Sequence, residues 1–270
     1  MTGHVGGAVA RALAGRPLRL VVRDPARAPD LPGATVAQAS YDDGEAVARA
    51  LDGVDVLLLV SAAEHPDRLG QHRTAVAAAA RAGVRRVVYT SFQAAAPDTV
   101  FTLGREHHGT EVALQEAGLV TTALRNSLYA DVLPSFFDDG GVVRGPAGDG
   151  RLAAVARRDV VDVAVAALVD EAHAGRTYVL TGPEALTLDD VAQELSEVTG
   201  EARRYERETV EQAYASRAHH GADAYQLDAW VSTYTAIAAG EVEQVTDDVE
   251  RVTGHRATSL TTVLRETLRR

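Results

Sequence analysis

The chain has 270 residues, of which 46% are hydrophobic and 24% charged, and it carries a formal net charge of −11. This acidity disfavours a general nucleic-acid binder, because affinity for phosphate comes from clustered basic charge. There is no cysteine, which excludes disulfides, thiolate metal sites and a cysteine nucleophile, and fits a cytoplasmic protein. The longest apolar run, residues 54–63, falls short of the roughly 20 residues of a membrane helix, so we expect no membrane partner.

The first half of the chain alternates apolar runs with segments of helical spacing. Apolar runs predict strands at residues 18–22, 34–39, 54–60, 86–90 and 120–124. Helical spacing predicts helices at residues 8–13, 43–51, 65–82 and 106–117. The continuous apolar run 54–60 is typical of a parallel strand covered on both faces. Strands that alternate with helices in this way predict a parallel, doubly wound sheet.

The second half of the chain has a looser pattern. The glycine-rich segment 140–150 predicts a loop, residues 159–171 a helix, and Thr177–Leu180 a strand. Thr187, followed by acidic residues, predicts the N-cap of a helix that ends near Gly200. We interpret the charge run 203–208 as a solvated surface, and further helices fill the remainder.

Glycines at the start of the chain match half of a dinucleotide-binding turn. Gly3 and Gly6 fit the last two glycines of a Gly-x-x-Gly-x-x-Gly turn, in which the backbone approaches a pyrophosphate and a helix N-terminus supplies N–H groups. A plain loop before a helix explains the same glycines. Arg23 ends the next strand, where an arginine suits the 2′-phosphate of NADP. The alternative is a surface arginine beside Asp24.

Two later strands end in small or polar residues at the same predicted edge of the sheet. The first of these strands is followed by Ser61, Ala62 and Ala63, and Thr90, Ser91 and Phe92 end the second. Because parallel strands present their carboxyl ends at one edge, a cofactor can lie across these residues. A simple strand-end turn explains each of them separately, so the prediction depends on their combination with the glycine turn and Arg23.

With these elements in order, the chain resembles the NmrA-like branch of the atypical short-chain dehydrogenase/reductases, and within it the bacterial NAD(P)H:quinone oxidoreductases of type 2. The resemblance covers essentially the whole chain and rests on segments that include "TGHVGGAVARAL", "GVDVLLLVSAAE", "LRNSLY" and "AGDGRLA". It implies an α/β fold with a Rossmann-like, doubly wound parallel sheet. Residues 1–125 would form the NAD(P)-binding domain and residues 126–270 a smaller α/β substrate-binding lobe, interleaved with it in one compact unit.

The resemblance also implies NADP(H) as the cofactor and assigns a role to individual residues. The pyrophosphate would be held by Gly3, His4, Val5 and Gly6, and the 2′-phosphate by Arg23. The ribose and nicotinamide would be bordered by Ser61, Ala62 and Ala63, with Glu64 and His65 just after them. Asn126 and Tyr129 would flank the nicotinamide and the substrate as the catalytic pair, and the cofactor set would be completed by Ser91 and Arg158.

The chain departs from this family at its start. In the family a strand and Gly-Ala-Thr precede the turn, whereas here only Met1 and Thr2 precede it. A central strand buries roughly five apolar side chains, each worth about 1.5–3 kcal/mol, a sum that rivals the roughly 5–15 kcal/mol stability of a whole domain. We therefore expect that the first strand is missing because a start codon was assigned too late or the chain was truncated.

The chain has no lysine, which bears on the reaction type. Ordinary short-chain dehydrogenases use a Tyr-x-x-x-Lys pair, in which the lysine lowers the pKa of the tyrosine. That mechanism cannot operate here in its usual form. Quinone reduction requires mainly that two rings are positioned for hydride transfer. Asn126 and Tyr129 can hydrogen-bond a quinone oxygen, or they simply fix the loop between the lobes.

These observations predict an NAD(P)H-dependent oxidoreductase that reduces quinones or similar small electrophiles by direct hydride transfer, and they are compatible with a homodimer. We expect no metal, because His107, His108 and Glu111 on one helix do not complete a zinc site. One alternative is an NmrA-like redox sensor that binds NADP(H) without turnover. The other is that the incomplete turn binds no dinucleotide.

Overall fold

The computed structural model describes residues 3–267. Met1 and Thr2 lie outside the described residues. The expectation of a missing first strand concerns this part of the chain. The strands are β1 Leu18–Val22, β2 Ala34–Gln38, β3 Val56–Leu59, β4 Arg86–Phe92, β5 Val120–Asn126, β6 Val142–Gly145, β7 Arg151–Leu152, β8 Thr177–Leu180, β9 Leu186–Thr187 and β10 Arg204–Arg207. The helices are α1 His4–Ala12, α2 Gly44–Leu51, α3 Arg68–Arg81, α4 Thr102–Glu116, α5 Arg157–Val169, α6 Leu188–Thr199, α7 Val210–Arg217, α8 Ala224–Ala238, α9 Asp248–Thr253 and α10 Leu260–Thr267.

Parallel strands form the centre of the protein. β1 pairs with β2, and a four-stranded sheet has the order β3-β4-β5-β8. Every one of these pairs is parallel, as expected for strands connected through helices. The structure thus confirms the α/β fold with a Rossmann-like, doubly wound sheet.

Helices cover both faces of these strands. On one face α1 and α5 pack together, and their apolar side chains, such as Val9 and Val163, join Leu124 of β5 in one core cluster. On the other face α2 and α3 pack against the sheet, with Leu51 and Ala75 in a second cluster. Since both faces are covered, the strands are apolar over most of their length, which is the pattern that identified them in the sequence.

The second half of the chain contributes to the main sheet as well as forming its own lobe. β8 pairs with β5 at the edge of the four-stranded sheet. The lobe contains the parallel pair β6–β10 and the antiparallel pair β7–β9. Its core includes Phe92 and Phe101 from the first half of the chain together with Leu188 and Ile237 from the second. The two halves therefore share both a sheet and a core, while the division at residue 125 stays a prediction.

Several local predictions are confirmed closely. The strands at Leu18–Val22 and Thr177–Leu180 have the predicted bounds. The N-cap at Thr187 forms a capping box, since its side chain accepts from the amide of Asp190 and the carboxylate of Asp190 accepts from the amide of Thr187. No helix within residues 3–267 combines the length and apolar character needed to cross a bilayer.

The charge run 203–208 differs from its interpretation as plain solvated surface. Residues Arg204–Arg207 form β10, which pairs with β6. Its charged side chains are exposed, as expected, but Tyr205 is buried and its hydroxyl donates to the carbonyl of Gly145. A buried aromatic residue between exposed charged residues follows the two-residue period of a strand. The high density of charge in this segment hid that period in the sequence.

β3 is less buried than the sequence predicts. Its first three residues, Val56, Leu57 and Leu58, are half-buried, and only Leu59 is fully buried. The reason is that the sheet is open between β1 and β3: a cleft of about 710 Å³ lies between these two strands. Among the described residues β3 pairs with β4 alone.

Candidate functional site

The carboxyl edge of the parallel strands brings most of the predicted site residues together. Arg23 follows β1, Ser61–Ala63 follow β3, and Asn126 is the last residue of β5. α1 begins at the same edge, because a short connection joins its C-terminal end to the amino end of β1. In open sheets of this kind the crevice outside the carboxyl ends is where ligands bind.

The glycine turn of the sequence forms the start of α1. Gly3 is the N-cap, with an extended backbone and no side-chain cap, and its carbonyl accepts from the amide of Gly7 at 2.9 Å. His4, Val5 and Gly6 lie in the first helical turn, where amide groups have no partner within the helix. The first turn contains no acidic residue. The helix N-terminus is therefore electrostatically suited to an anion such as a pyrophosphate.

Arg23 is exposed at the end of β1, and its neighbour Asp24 is engaged elsewhere. The carboxylate of Asp24 caps a short turn by accepting from the amide of Ala26 at 3.0 Å. The carbonyl of Arg23 accepts from the side chain of Gln38 at 3.0 Å. A hydrogen bond from Ser40 is the main cause that lowers the pKa of Asp42, and the positive charge of Arg23 adds to it. The Arg23 side chain thus lies at the sheet edge without an ion pair to Asp24.

The loop after β3 is held by a clamp on both backbone polar groups of one residue, Ala62, which sequence reasoning missed. The amide of Ala62 donates to Nε2 of His72 at 2.8 Å, and the carbonyl of Ala62 accepts from Nε of Arg68 at 2.8 Å. Next to it, the amide of Ser61 donates to the hydroxyl of Thr90 at 2.8 Å. Both side chains of the clamp, Arg68 and His72, come from α3 and are buried. The loop that would border the nicotinamide is therefore fixed by the helix packed against it.

Burial decides the protonation state of the histidine in this clamp. His72 is 0% exposed, and burial, together with the charge of Arg68, lowers its pKa to about 3. The neutral ring accepts from Ala62 at Nε2 and therefore carries its proton on Nδ1, which lies 2.8 Å from the hydroxyl of Thr110. That hydroxyl donates to the carbonyl of Glu106. Every polar group in this chain of bonds has a partner, as buried groups require.

A second buried histidine supports the same arginine. Nε2 of His107 lies 3.0 Å from Nη2 of Arg68, and since arginine can only donate, Nδ1 of His107 carries the proton toward the hydroxyl of Tyr89 at 2.9 Å. Burial lowers the pKa of His107 well below its usual range. Arg68 also pairs with Glu106 at 2.9 Å. His107 thus has a positioning role within the fold.

Asn126 and Tyr129 form a hydrogen-bonded pair beyond the end of β5. Nδ2 of Asn126 donates to the Tyr129 oxygen at 3.1 Å, and burial raises the pKa of Tyr129 to about 12. The guanidinium carbon of Arg157 lies 5.4 Å from the centre of the Tyr129 ring, a distance typical of a cation–π contact. The tyrosine is therefore protonated at neutral pH. Because its oxygen accepts from Asn126, its hydroxyl hydrogen can point away from that residue.

Two polar atoms next to this pair are buried and have no partner among the described residues. They are Oδ1 of Asn126 and the hydroxyl oxygen of Ser127. An unpaired buried polar atom costs about 1–3 kcal/mol, and in a native protein such an atom calls for a ligand or water. The carboxyl edge thus offers a hydrogen-bond acceptor that the protein itself leaves unused.

Ser91 and Arg158 have partners outside this group. The hydroxyl of Ser91 donates to Glu111 at 2.5 Å, and Glu111 is held in turn by two bonds from Arg125. Arg158 pairs with Glu266 of α10 at 2.5 Å and donates to the hydroxyl of Thr258. Their roles toward a cofactor stay predictions, and the structure does not bring their side chains together with Asn126 and Tyr129.

A model of the NmrA-like family matches residues 1–265 of the chain. The chain belongs to the NmrA-like family. One similar member, "Quinone oxidoreductase 2" of Escherichia coli strain K12, is 38% identical over 192 residues, which cover 69% of this chain and 66% of that protein, just under two thirds of its length. The NAD(P)H azoreductase of Xenophilus azovorans is 31% identical over 263 residues, which cover 95% of this chain and 92% of the azoreductase.

A solved structure extends the comparison to nearly the full length of both chains. The NADPH-dependent quinone oxidoreductase QOR2 from Escherichia coli, in complex with NADPH, superposes with a TM-score of 0.90. The two are 31% identical, and the match covers 99% of this NmrA-like chain and 97% of the other. The resemblance expected from the sequence is thereby confirmed.

Proposed function

We propose that this NmrA-like protein is an NAD(P)H-dependent oxidoreductase that reduces quinones and similar small electrophiles by direct hydride transfer. The observation that carries the proposal is the hydrogen-bonded pair of the buried Asn126 and the half-buried Tyr129, which lies at the same sheet edge as the N-terminus of α1 and Arg23. The names of the relatives support it: one is a quinone oxidoreductase, one an NAD(P)H azoreductase, and the E. coli quinone oxidoreductase was solved with NADPH.

The residues at this edge fit NADPH group by group. Amides at the start of α1 suit the pyrophosphate, and the exposed Arg23 suits a 2′-phosphate. The small side chains of Ser61–Ala63 leave room for a flat ring and ribose over the clamped backbone of Ala62. Oδ1 of Asn126, buried without a partner among residues 3–267, suits an amide donor such as the nicotinamide carboxamide.

The side chains of this site act by positioning and by hydrogen bonding. When bound, NADPH supplies a hydride, which is two electrons with one proton. Tyr129 donates a hydrogen bond to a substrate oxygen as negative charge develops there, a contribution of the oxyanion-stabilising kind. Asn126 orients that hydroxyl by donating to its oxygen. Because burial raises the pKa of Tyr129 to about 12, the tyrosine keeps its proton, and water at the open edge provides the proton that completes the hydroquinone.

The absence of lysine agrees with a tyrosine that donates a hydrogen bond while water provides the proton. No lysine occurs in the chain, and the guanidinium of Arg157 lies over the Tyr129 ring, 5.4 Å from its centre. A tyrosine with a raised pKa is a poor acid for carbonyl reduction, where the product alkoxide requires full proton transfer. Quinones are stronger electrophiles, so a hydrogen-bond donor and correct orientation of the rings suffice.

A steady-state assay with NADPH and small benzoquinones tests the proposal. We expect NADPH oxidation in proportion to quinone, with formation of one hydroquinone for each NADPH consumed. Titration of NADPH against the same preparation, followed by nicotinamide fluorescence, measures binding separately. Binding without turnover of any quinone would refute the enzyme and favour the redox sensor, and the absence of binding would refute both.

A further inference from the structure

Arg157 places a positive charge beside the Tyr129 ring, and the protein provides this charge with no acceptor. Arg157 is the first residue of α5 and is half-buried. Its guanidinium carbon lies 5.4 Å from the centre of the Tyr129 ring. Within residues 3–267 the guanidinium has neither a hydrogen-bond acceptor nor an ion-pair partner. The ring face attracts the positive charge but offers no lone pair to the five N–H donors of the guanidinium.

This combination separates Arg157 from the other arginines in the described part of the chain. Those that are buried or half-buried, such as Arg86 and Arg125, donate to a carbonyl or a carboxylate. Those whose side chains have no acceptor, such as Arg176, are exposed to solvent. Only Arg157 is both sheltered and without an acceptor. Because a charged donor that is partly removed from water costs free energy when it has no partner, this position favours an anionic ligand.

Two carboxylates at the start of α5 have other partners. Asp131 accepts from the backbone amide of Arg157 at 2.8 Å, and no ion pair joins it to the guanidinium. Asp159 accepts from the amide and from the hydroxyl of Thr258. The chain has 38 acidic and 27 basic residues, so a shortage of carboxylates does not explain why Arg157 has none.

Arg157 is close enough to Tyr129 for one small molecule to contact both. In the proposed function the Tyr129 hydroxyl donates to a substrate oxygen, and Arg157 covers the ring that carries this hydroxyl. Both side chains are half-buried, so both are accessible to a ligand. A guanidinium binds oxyanion groups, such as carboxylate and phosphate, through paired N–H bonds. A molecule with an electrophilic ring and an oxyanion substituent therefore matches the two side chains together.

We propose that Arg157 is a substrate-binding residue that gives this site a preference for electrophiles with an oxyanion substituent, such as a carboxylate, a sulfonate or a phosphate. The inference rests on the proposed function, since the reaction is the same hydride transfer to the electrophilic ring. The oxyanion contacts the guanidinium and is unchanged by the reaction. The pyrophosphate of the cofactor has the same chemistry, but the start of α1 already suits it, so the geometry favours the substrate as the partner of Arg157.

Two quinones that differ by one permanent oxyanion test this inference, namely 1,4-naphthoquinone and its 2-sulfonate, each with saturating NADPH. Arg157→Gln removes the charge and keeps a polar side chain, and Arg157→Lys keeps the charge but loses the fork of donors. Arg176→Gln is the matched control for net charge. It removes one exposed arginine just ahead of β8, at the opposite edge of the sheet.

Arg157→Gln should lower kcat/KM for the sulfonate at least tenfold more than kcat/KM for the neutral quinone, because a charge-assisted contact is lost. The loss for the neutral quinone should be at most about fivefold, from the lost contact with the ring. Arg157→Lys should recover part of the preference, and Arg176→Gln should leave both quinones unchanged. Equal losses for both quinones would overturn the proposal, because they would limit Arg157 to supporting the Tyr129 ring. Weaker binding of both NADPH and NADH to Arg157→Gln would also overturn it, and would assign the guanidinium to the pyrophosphate.

Binding of unreactive analogues distinguishes a failure of this proposal from a failure of the proposed function. Calorimetry in excess NADP⁺ measures the affinities for naphthalenesulfonate and for the neutral naphthalenesulfonamide. Arg157→Gln should weaken binding of the sulfonate at least tenfold and leave the sulfonamide unchanged. That pattern without turnover of any quinone would refute the reductase and retain the anion site. Turnover of neutral quinone, with sulfonate binding that Arg157→Gln does not change, would refute the anion site and retain the reductase.

Discussion

Mild acid should destabilise this protein through His72, and replacing that histidine with glutamine should remove a defined part of the effect. His72 is neutral in the fold, with Nε2 accepting from Ala62 and Nδ1 facing the hydroxyl of Thr110. A glutamine side chain can reproduce both bonds, because its oxygen accepts and its amide donates. His72→Gln thus removes the titrating group while retaining the clamp on the backbone of Ala62.

The size of the effect follows from the difference in pKa between the two states. The pKa of His72 is about 3 in the fold, against 6.5 in the unfolded chain. As pH falls below 6.5, the unfolded state binds the proton while the folded state does not, so stability is lost. One pKa unit corresponds to about 1.36 kcal/mol, which gives a loss of about 2 kcal/mol from His72 between pH 7 and pH 5. His107, whose pKa is also lowered by burial, adds a loss of the same sign.

Urea unfolding at pH 7 and at pH 5 measures this loss. The wild-type chain should lose about 2 kcal/mol more than His72→Gln between the two pH values, because all other titrating groups are common to both. His220→Gln, a substitution of an exposed histidine, is the matched control and should behave as the wild type does. Equal losses for wild type and His72→Gln would show that His72 is not held neutral by burial, and the account of the clamp would be wrong.

Three further outcomes are expected. Arg23→Ala should weaken NADPH binding about tenfold or more, because a charge-assisted hydrogen bond contributes about 1.5–3 kcal/mol. In the same titration NADH binding should be unchanged. Equal weakening of both would argue against contact between Arg23 and a 2′-phosphate. Tyr129→Phe should lower kcat/KM for quinone about 2- to 13-fold, as expected for one neutral hydrogen bond of roughly 0.5–1.5 kcal/mol, without changing NADPH affinity. An unchanged kcat/KM would remove Tyr129 from the site. Thr187→Ala should lower the free energy of unfolding by about 1 kcal/mol through loss of the N-cap, and Thr187→Ser should restore most of it in the same urea experiment.

Much of the candidate site could be predicted because it obeys a rule of strand order. Residues that follow parallel strands meet at one edge, so Arg23, Ser61–Ala63 and Asn126 could be placed together without coordinates. Ser91 shows the limit of that rule. It lies within β4 and not beyond it, and its side chain reaches Glu111 on α4. Which face a strand residue presents depends on register, and a shift of one residue reverses it.

The clamp on Ala62 lay beyond prediction for a different reason. Its members, Arg68 and His72, read in the sequence as ordinary helix residues, and their function arises only where α3 packs beneath the loop. The neutral state of His72 is likewise a consequence mainly of burial in the assembled core, to which the charge of Arg68 adds. Contacts such as Arg68 with His107, 39 residues apart, require the assembled core.

The sequence by itself determined the alternation of strands and helices, the N-cap at Thr187, and the absence of the lysine on which ordinary short-chain dehydrogenases depend. These features are local or compositional, so periodicity, capping chemistry and residue counts are sufficient to read them. Only the tertiary structure decided that Asn126 bonds to Tyr129 with an unused acceptor beside it, and that β1 and β3 stand apart around an open cleft. Those features depend on how distant segments pack. The free-energy cost of a buried polar atom or of a strand edge depends on whether a hydrogen-bond partner lies opposite to it.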